Sequence, residues 1–246
     1  MRLRVTFSKG GPLVYTSHLD LARAWERALR RAGVGLVYSG GFNPRPKLQL
    51  AAALPLGHTA EAEWLDVWLE KPTRGRGAEE QGSGGVVEDF ARALVPVLPD
   101  GLTISQVCQV MLNEPALQTQ VVAAEYCVTV EWYPDLVEGW DEPAGAVEAR
   151  IERVLAATEL PQERRGRRYD LRPLIERLWL ERCPEPCPEP RRRAVEGRVV
   201  GGEVVLGMQL AARAGATARP EAVLDVLGMG DAFARYHRRR LLRAAG

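Results

Sequence analysis

Between Tyr15 and Lys47 the chain sets two kinds of anion holder in succession: a helix striped with arginine, then the loop Ser39-Gly40-Gly41-Phe42-Asn43-Pro44-Arg45-Pro46-Lys47. Gly40 and Gly41 can take positive φ and turn consecutive N–H groups outward. Arg45 and Lys47 place cations beside them, the combination with which backbone nests and forked guanidinium groups hold phosphate. Phe42 supplies a ring able to stack on an unpaired base, a contact worth roughly 1–3 kcal/mol in single-strand binders. The competing reading is a structural turn whose Phe42 ring covers a core edge. Candidate anion or nucleic-acid contacts are Ser39, Gly40, Gly41, Phe42, Asn43, Arg45 and Lys47 from the loop, Arg23, Arg27 and Arg30 from the helix stripe, and Lys9 and His18 ahead of it.

His18 is the one weak catalytic candidate. At the first turn of a helix the dipole disfavours its charged form, and a neutral imidazole there can act as a base, although it is more often a satisfied hydrogen-bonding group. Asp20 reads first as the capping partner of Ser17. The chain contains no Walker loop, dinucleotide fingerprint, His-Glu-x-x-His or nucleophile elbow, so no cofactor, metal or catalytic template is expected. Arg164, Arg165, Arg167, Arg168 and Arg172 form one further basic block, and Arg235, Arg238, Arg239, Arg240 and Arg243 another beside His237. Such blocks are usually solvated, yet they also supply local positive patches.

Patterning predicts the elements that position these groups. Residues 2–8 alternate as a half-buried strand. Ser17 with Asp20, and Gly33 beyond, bound a helix at about 18–32; Leu21, Ala22, Trp25, Ala28, Leu29 and Ala32 share one face, opposite Asp20, Arg23, Arg27, Arg30 and Arg31. Strands are expected at 34–38, 48–54, 62–69 and 102–112, with a helix at 86–98. In the second half the pattern predicts a strand at 121–132, helices at 143–157, about 171–181 and 219–227, and a strand pair at 192–199 and 203–211 turned by Gly201-Gly202. The resulting fold class is α+β, as two ferredoxin-like two-layer sandwiches with antiparallel sheets. The expected domains are 1–115, including a mobile glycine-rich loop at 73–85, then 116–230, then a basic C-terminal helix or tail at 231–246.

The formal net charge of +1 excludes a whole-molecule field that would draw a polyanion, so any such site is local. Thirty of the 33 basic residues are arginine, a bias that composition alone cannot assign to function. No stretch approaches the roughly 20 apolar residues of a membrane helix, and the expected location is the cytoplasm. Cys108 and Cys127 sit in apolar strand-like segments as small core residues. Cys183 and Cys187, in Cys-Pro-Glu-Pro-Cys, lack the two further ligands that a zinc site needs.

Five segments carry a resemblance: Phe7–Gly10, Ser17–Asp20, Arg27–Gly33, Tyr38–Lys47 and Pro55–Gly57. Together the chain resembles the bacterial radical SAM-linked proteins, a domain of unknown function found beside, or fused behind, a radical S-adenosylmethionine enzyme. The match is specific over residues 1–70 and loose beyond, where Tyr169–Pro173 and Arg219-Pro220 fit. His58 departs from the pattern and is assigned no role. The resemblance implies a radical SAM partner but names no reaction.

These observations lead to one expectation and two rivals. The expectation is a non-catalytic RNA-binding accessory protein acting with a radical SAM enzyme on tRNA or rRNA. One rival is a metal-independent endoribonuclease with His18 as base and Tyr15 or Lys47 steadying the phosphate. The other is a protein-interaction adaptor for the radical enzyme.

Overall fold

A computed structural model describes residues 1–70, 83–132, 144–181 and 202–244. The chain forms two compact units, Met1–Val121 and Val122–Arg243. Its class is α+β, with mostly antiparallel strands and five helices among the described residues.

The first unit runs β1 (Arg2–Lys9), α1 (His18–Arg31), β2 (Leu48–Leu50), β3 (His58–Trp68), α2 (Ser83–Leu94), β4 (Leu102–Val110) and the single turn α3 (Leu117–Gln120). Its sheet has the order β4-β1-β3-β2, every neighbour antiparallel. On one face Leu3, Val5 and Phe7 of β1 and Leu65 and Val67 of β3 are completely buried. They form one core with Leu21, Trp25, Ala28 and Leu29 of α1 and Phe90 and Leu94 of α2. Phe7 meets Trp25 edge to face at 4.9 Å, a favoured ring geometry.

Helix α1 begins as its sequence requires. Ser17 Oγ accepts from Asp20 N at 3.2 Å and donates to the Asp20 carboxylate at 2.7 Å. That hydrogen bond, helped by Arg23, holds the exposed Asp20 carboxyl below the usual carboxylate range. Gly33, at φ +66°, ends the helix by donating to Arg30 O.

The other face of the β1–β3 pair is ionic. Strand alternation sends Arg2 and Arg4 away from the core, and the register sets Arg4 opposite Asp66 and Arg2 opposite Trp68. Asp66 is fully buried and takes Arg2 Nε at 2.8 Å, Arg4 Nε at 2.7 Å and Arg4 Nη2 at 2.9 Å. Segment 114–120 covers the pair: Arg2 donates to the Glu114 and Pro115 carbonyls, and Arg4 to Gln120 Oε1 and Glu114 Oε2. Every buried charge therefore has partners, the condition under which burial is tolerated.

The second unit contains β5 (Val121–Trp132), α4 (Ala144–Ala156), the hairpin β6 (Pro161–Arg164) and β7 (Arg167–Asp170), β8 (Ile175–Leu180), β9 (Gly202–Arg213), β10 (Ala216–Thr217), α5 (Pro220–Val226) and β11 (Phe233–Arg243). β9 lies between β5 and β8, and β11 lies on the other side of β5. Gly207 is needed where it stands, because a Cβ there would come within 2.0 Å of the Trp179 ring that crosses it.

Several expectations need correcting. The helix expected at 171–181 is a short 3-10 turn, Arg172–Leu174, followed by strand β8. An irregularity in the pairing between Ile175 and Arg177 leaves Ile175 and Leu178 buried three residues apart, a spacing that imitates a helix. The basic helix or tail at 231–246 is largely β11, with Arg238 and Leu241 buried. The strand expected at 34–38 amounts to isolated bridges at Leu36 and Tyr38, and that at 48–54 stops at Leu50. Strand β6–β7 was not anticipated. Cys127 is buried and disulfide-bonded rather than a plain core thiol, whereas Cys108 is free and partly exposed. Cys183, Cys187, the strand expected at 192–199 and residues 73–82 of the glycine-rich loop lie outside the described residues; residues 83–85 open α2.

Two tests follow from this packing. Asp66→Asn leaves two buried guanidinium groups without their carboxylate and should cost about 3–5 kcal/mol in urea unfolding. Asp89→Asn, at the exposed Asp89–Arg92 pair, should cost less than about 1 kcal/mol. Equal losses would show that the buried cluster contributes nothing special. On β11, burial, with the charges of Glu221 and Asp225 behind it, raises the Tyr236 hydroxyl from 10.0 to about 12. The stability Tyr236 contributes is thus complete below pH 10 and lost as pH climbs towards about 12. Alkaline titration of tyrosinate absorbance should show one late step that Tyr236→Phe removes; an unchanged curve would refute the shift.

Candidate functional site

The loop after α1 is a closed, projecting ribbon. Tyr38 bridges to Pro46, Ser39 N donates to Arg45 O at 2.8 Å, Arg45 N donates to Ser39 Oγ at 3.1 Å, and Lys47 N donates to Val37 O at 2.7 Å. Ser39 is therefore the clasp of the loop. Beyond it Gly40, Gly41, Phe42, Asn43 and Pro44 form the exposed tip. Only Gly41 takes the positive φ that both glycines could adopt, at +126°. Phe42 is 100% exposed, so it covers no core edge.

The root of this ribbon rests on β3. Val37 N donates to Trp68 O and Trp68 N to Lys47 O. Lys47 Nζ lies 4.7 Å from the Trp68 ring centroid, and Arg2 Cζ lies 4.8 Å from it. Lys47 thus stays exposed while its position is set by an aromatic ring. Arg45 is also exposed, and among the described residues its guanidinium has no carboxylate partner. Tyr38, Phe42, Arg45 and Lys47 consequently present two rings and two cations on one short ribbon, a set able to stack on a base and neutralise adjacent phosphates.

The remaining candidates are elsewhere. Lys9 is buried at the far end of β1, pairs in register with Ala60, and donates from Nζ to Thr16 O at 3.2 Å. His18 opens α1 at that same end, half-buried beside the turn Gly11–Tyr15. Ala60 and Trp68 are eight positions apart on β3, about 26 Å at 3.3 Å per residue. The Lys9–His18 group and the ribbon are therefore at opposite ends of the strand rather than side by side. Along the exposed face of α1, Arg23 pairs with Asp20 at 3.0 Å, while Arg27 and Arg30 have no carboxylate partner among the described residues.

The end that holds His18 has its own character. Gly57 N donates to Val14 O, which brings the Pro55–Gly57 turn against Tyr15. Tyr15, Leu19 and Leu56 there are 80%, 67% and 62% exposed, apolar side chains supplied by the turn Gly11–Tyr15, the start of α1 and the Pro55–Gly57 turn.

The C-terminal basic block is largely neutralised. Arg235 pairs with Glu131 and Glu203, Arg239 grips Glu181 through both terminal nitrogens, and Arg240 reaches Glu125 at 2.7 Å. These partners come from distant strands, so the sequence carries no local sign of the pairing. The role of Trp68 as the seat for Lys47 and Arg2 was equally hidden, since it depends on three elements meeting.

No curated protein matches the chain. Residues 2–220 match the model of a family described as an uncharacterized protein conserved in bacteria (DUF2344). That match covers most of the chain, including the Ser39–Lys47 ribbon and the Tyr15–Leu19–Leu56 end, and the protein belongs to this bacterial family.

Proposed function

We propose that the chain is a non-catalytic RNA-binding accessory protein of the cytoplasm that works with a radical SAM enzyme on structured RNA such as tRNA or rRNA. The observation that carries the RNA reading is the Ser39–Lys47 ribbon. Phe42 has no intramolecular use at 100% exposure, and Arg45 and Lys47 stand exposed on the same short segment. A ring flanked by cations is the arrangement with which proteins hold unpaired bases and their phosphates. The radical SAM partner rests on the resemblance of the five motif segments. The order β4-β1-β3-β2, with α1 and α2 over one face, favours a ferredoxin-like sandwich for the first unit. The order β11-β5-β9-β8 favours the same for the second.

A second reading, the protein adaptor, draws support from exposed Tyr15, Leu19 and Leu56, because apolar side chains gathered at one surface commonly mark a docking site. The endoribonuclease reading draws less, since Lys47 is at the opposite end of β3 from His18 and only Tyr15 of the two expected phosphate contacts lies beside it.

Gel shift with total tRNA and rRNA fragments at about 0.1 M salt should show binding by the wild type. Phe42→Ala should weaken it by about 1–3 kcal/mol, roughly 5- to 150-fold, and Arg45→Ala/Lys47→Ala should weaken it further while flattening the salt dependence. Absence of binding, or indifference to these variants, would sink the RNA reading. Partner capture that survives RNase would then put the adaptor in its place.

A further inference from the structure

The hairpin β6–β7 carries two local conflicts at its tip. Its strands pair Pro161 with Asp170, Gln162 with Tyr169, Glu163 with Arg168 and Arg164 with Arg167, leaving Arg165-Gly166 as the two-residue turn. Both turn residues have positive φ, +51° for Arg165 and +74° for Gly166, the signature of a type I′ hairpin. Such turns favour asparagine or glycine at the first position, yet here an arginine occupies it. Arg165 is the only non-glycine residue with positive φ among the described residues. The second conflict is next to it: Arg164 and Arg167 face each other as a like-charged cross-strand pair, which is unfavourable in a sheet.

Little within the hairpin relieves this charge. Arg164, Arg165, Arg167 and Arg168 are all exposed, and among the described residues the carboxylate paired with them is Glu163, 4.0 Å from Arg168, whose side chain is 91% exposed. Asp170 is committed elsewhere, its Oδ1 accepting from Leu160 N at 2.7 Å and Arg172 N at 2.9 Å. Arg172 is committed too, donating to Leu155 O and Ile175 O. With Leu171 fully buried and its N–H bonded to Leu160 O, these contacts make a firm base. The hairpin is therefore a narrow ribbon anchored at its root and charged at its end. Strain retained where an unstrained residue was available points to use of the side chain.

We propose that the β6–β7 tip is a second polyanion contact, in which the forked groups of Arg164, Arg165, Arg167 and Arg168 grip the phosphate backbone of RNA. It rests on the RNA reading and adds a site in the other unit. Guanidinium forks match phosphate oxygens in pairs, and a bound backbone offsets the repulsion between Arg164 and Arg167. Segment 163–168 consists of charged residues and one glycine, so it lacks the apolar side chains with which a ribbon would enter a lipid surface.

The test measures anisotropy of labelled bulk tRNA with the full chain across about 0.05–0.2 M salt, beside thermal melts. Arg165→Gly relieves the backbone and should keep or raise the melting temperature while weakening tRNA several-fold. Arg164→Gln/Arg167→Gln removes the like-charged pair and should stay folded, bind about tenfold more weakly and reduce the log–log salt slope by roughly 1–2. If both variants bind tRNA as the wild type does while Arg45→Ala/Lys47→Ala loses it, the hairpin proposal fails and the RNA function stands. If the wild type binds no tRNA, both fail. Hairpin-dependent binding to phosphatidylserine vesicles in place of tRNA would also overturn it.

Discussion

A single buried carboxylate organises the first unit. Asp66 has no access to solvent and is held by two guanidinium groups from the neighbouring strand. A one-residue slip of β1 against β3 would drive Arg2 and Arg4 into the apolar face and strand Asp66, so the cluster selects one register. The same arginines draw segment 114–120 over the sheet through the Glu114, Pro115 and Gln120 oxygens. Arg2 also lies against Trp68, on which Lys47 rests. The root of the exposed ribbon is thereby tied to the most constrained point of the strand pair, which gives the proposed RNA contact a stiff mount.

This arrangement divides the arginines into two populations that composition merges. Arg2, Arg4, Arg172, Arg235, Arg239 and Arg240 are consumed by carboxylates or backbone carbonyls and hold strands and turns together. Arg45 and the four arginines of the β6–β7 tip stand clear of the scaffold. The net charge of +1 conceals this division, because it counts paired and unpaired groups alike. The proposed RNA contacts lie on the Ser39–Lys47 ribbon and the β6–β7 tip, one in each unit.

Features whose causes are local were legible in the sequence. Ser17, Asp20 and Gly33 mark both ends of α1, and the spacing of Leu21, Trp25, Ala28 and Leu29 identifies its buried face, because caps and periodicity act within a few residues. Features set by distant partners were not. The Ile175–Leu178 spacing looks helical only because the bulge that creates it is a property of the pairing with β9. The arginines of β11 look solvated because Glu125, Glu131 and Glu181 are more than fifty residues away. The exposure of Phe42, Arg45 and Lys47 and the positive φ of Gly41 follow from the local sequence, but adjacency along the chain grouped His18 with them, and α1 carries the chain from one end of the sheet to the other between them.

The most direct measurement is zero-length ultraviolet crosslinking of the full chain to bulk tRNA, with nucleotide adducts mapped by mass spectrometry. Excited bases couple efficiently only to side chains they touch, and exposed aromatic rings are good acceptors. The proposed site predicts adducts on the segment containing Tyr38 and Phe42, lost when Arg45 and Lys47 are replaced by alanine. Adducts confined to other segments, or none above a non-binding control, would contradict it.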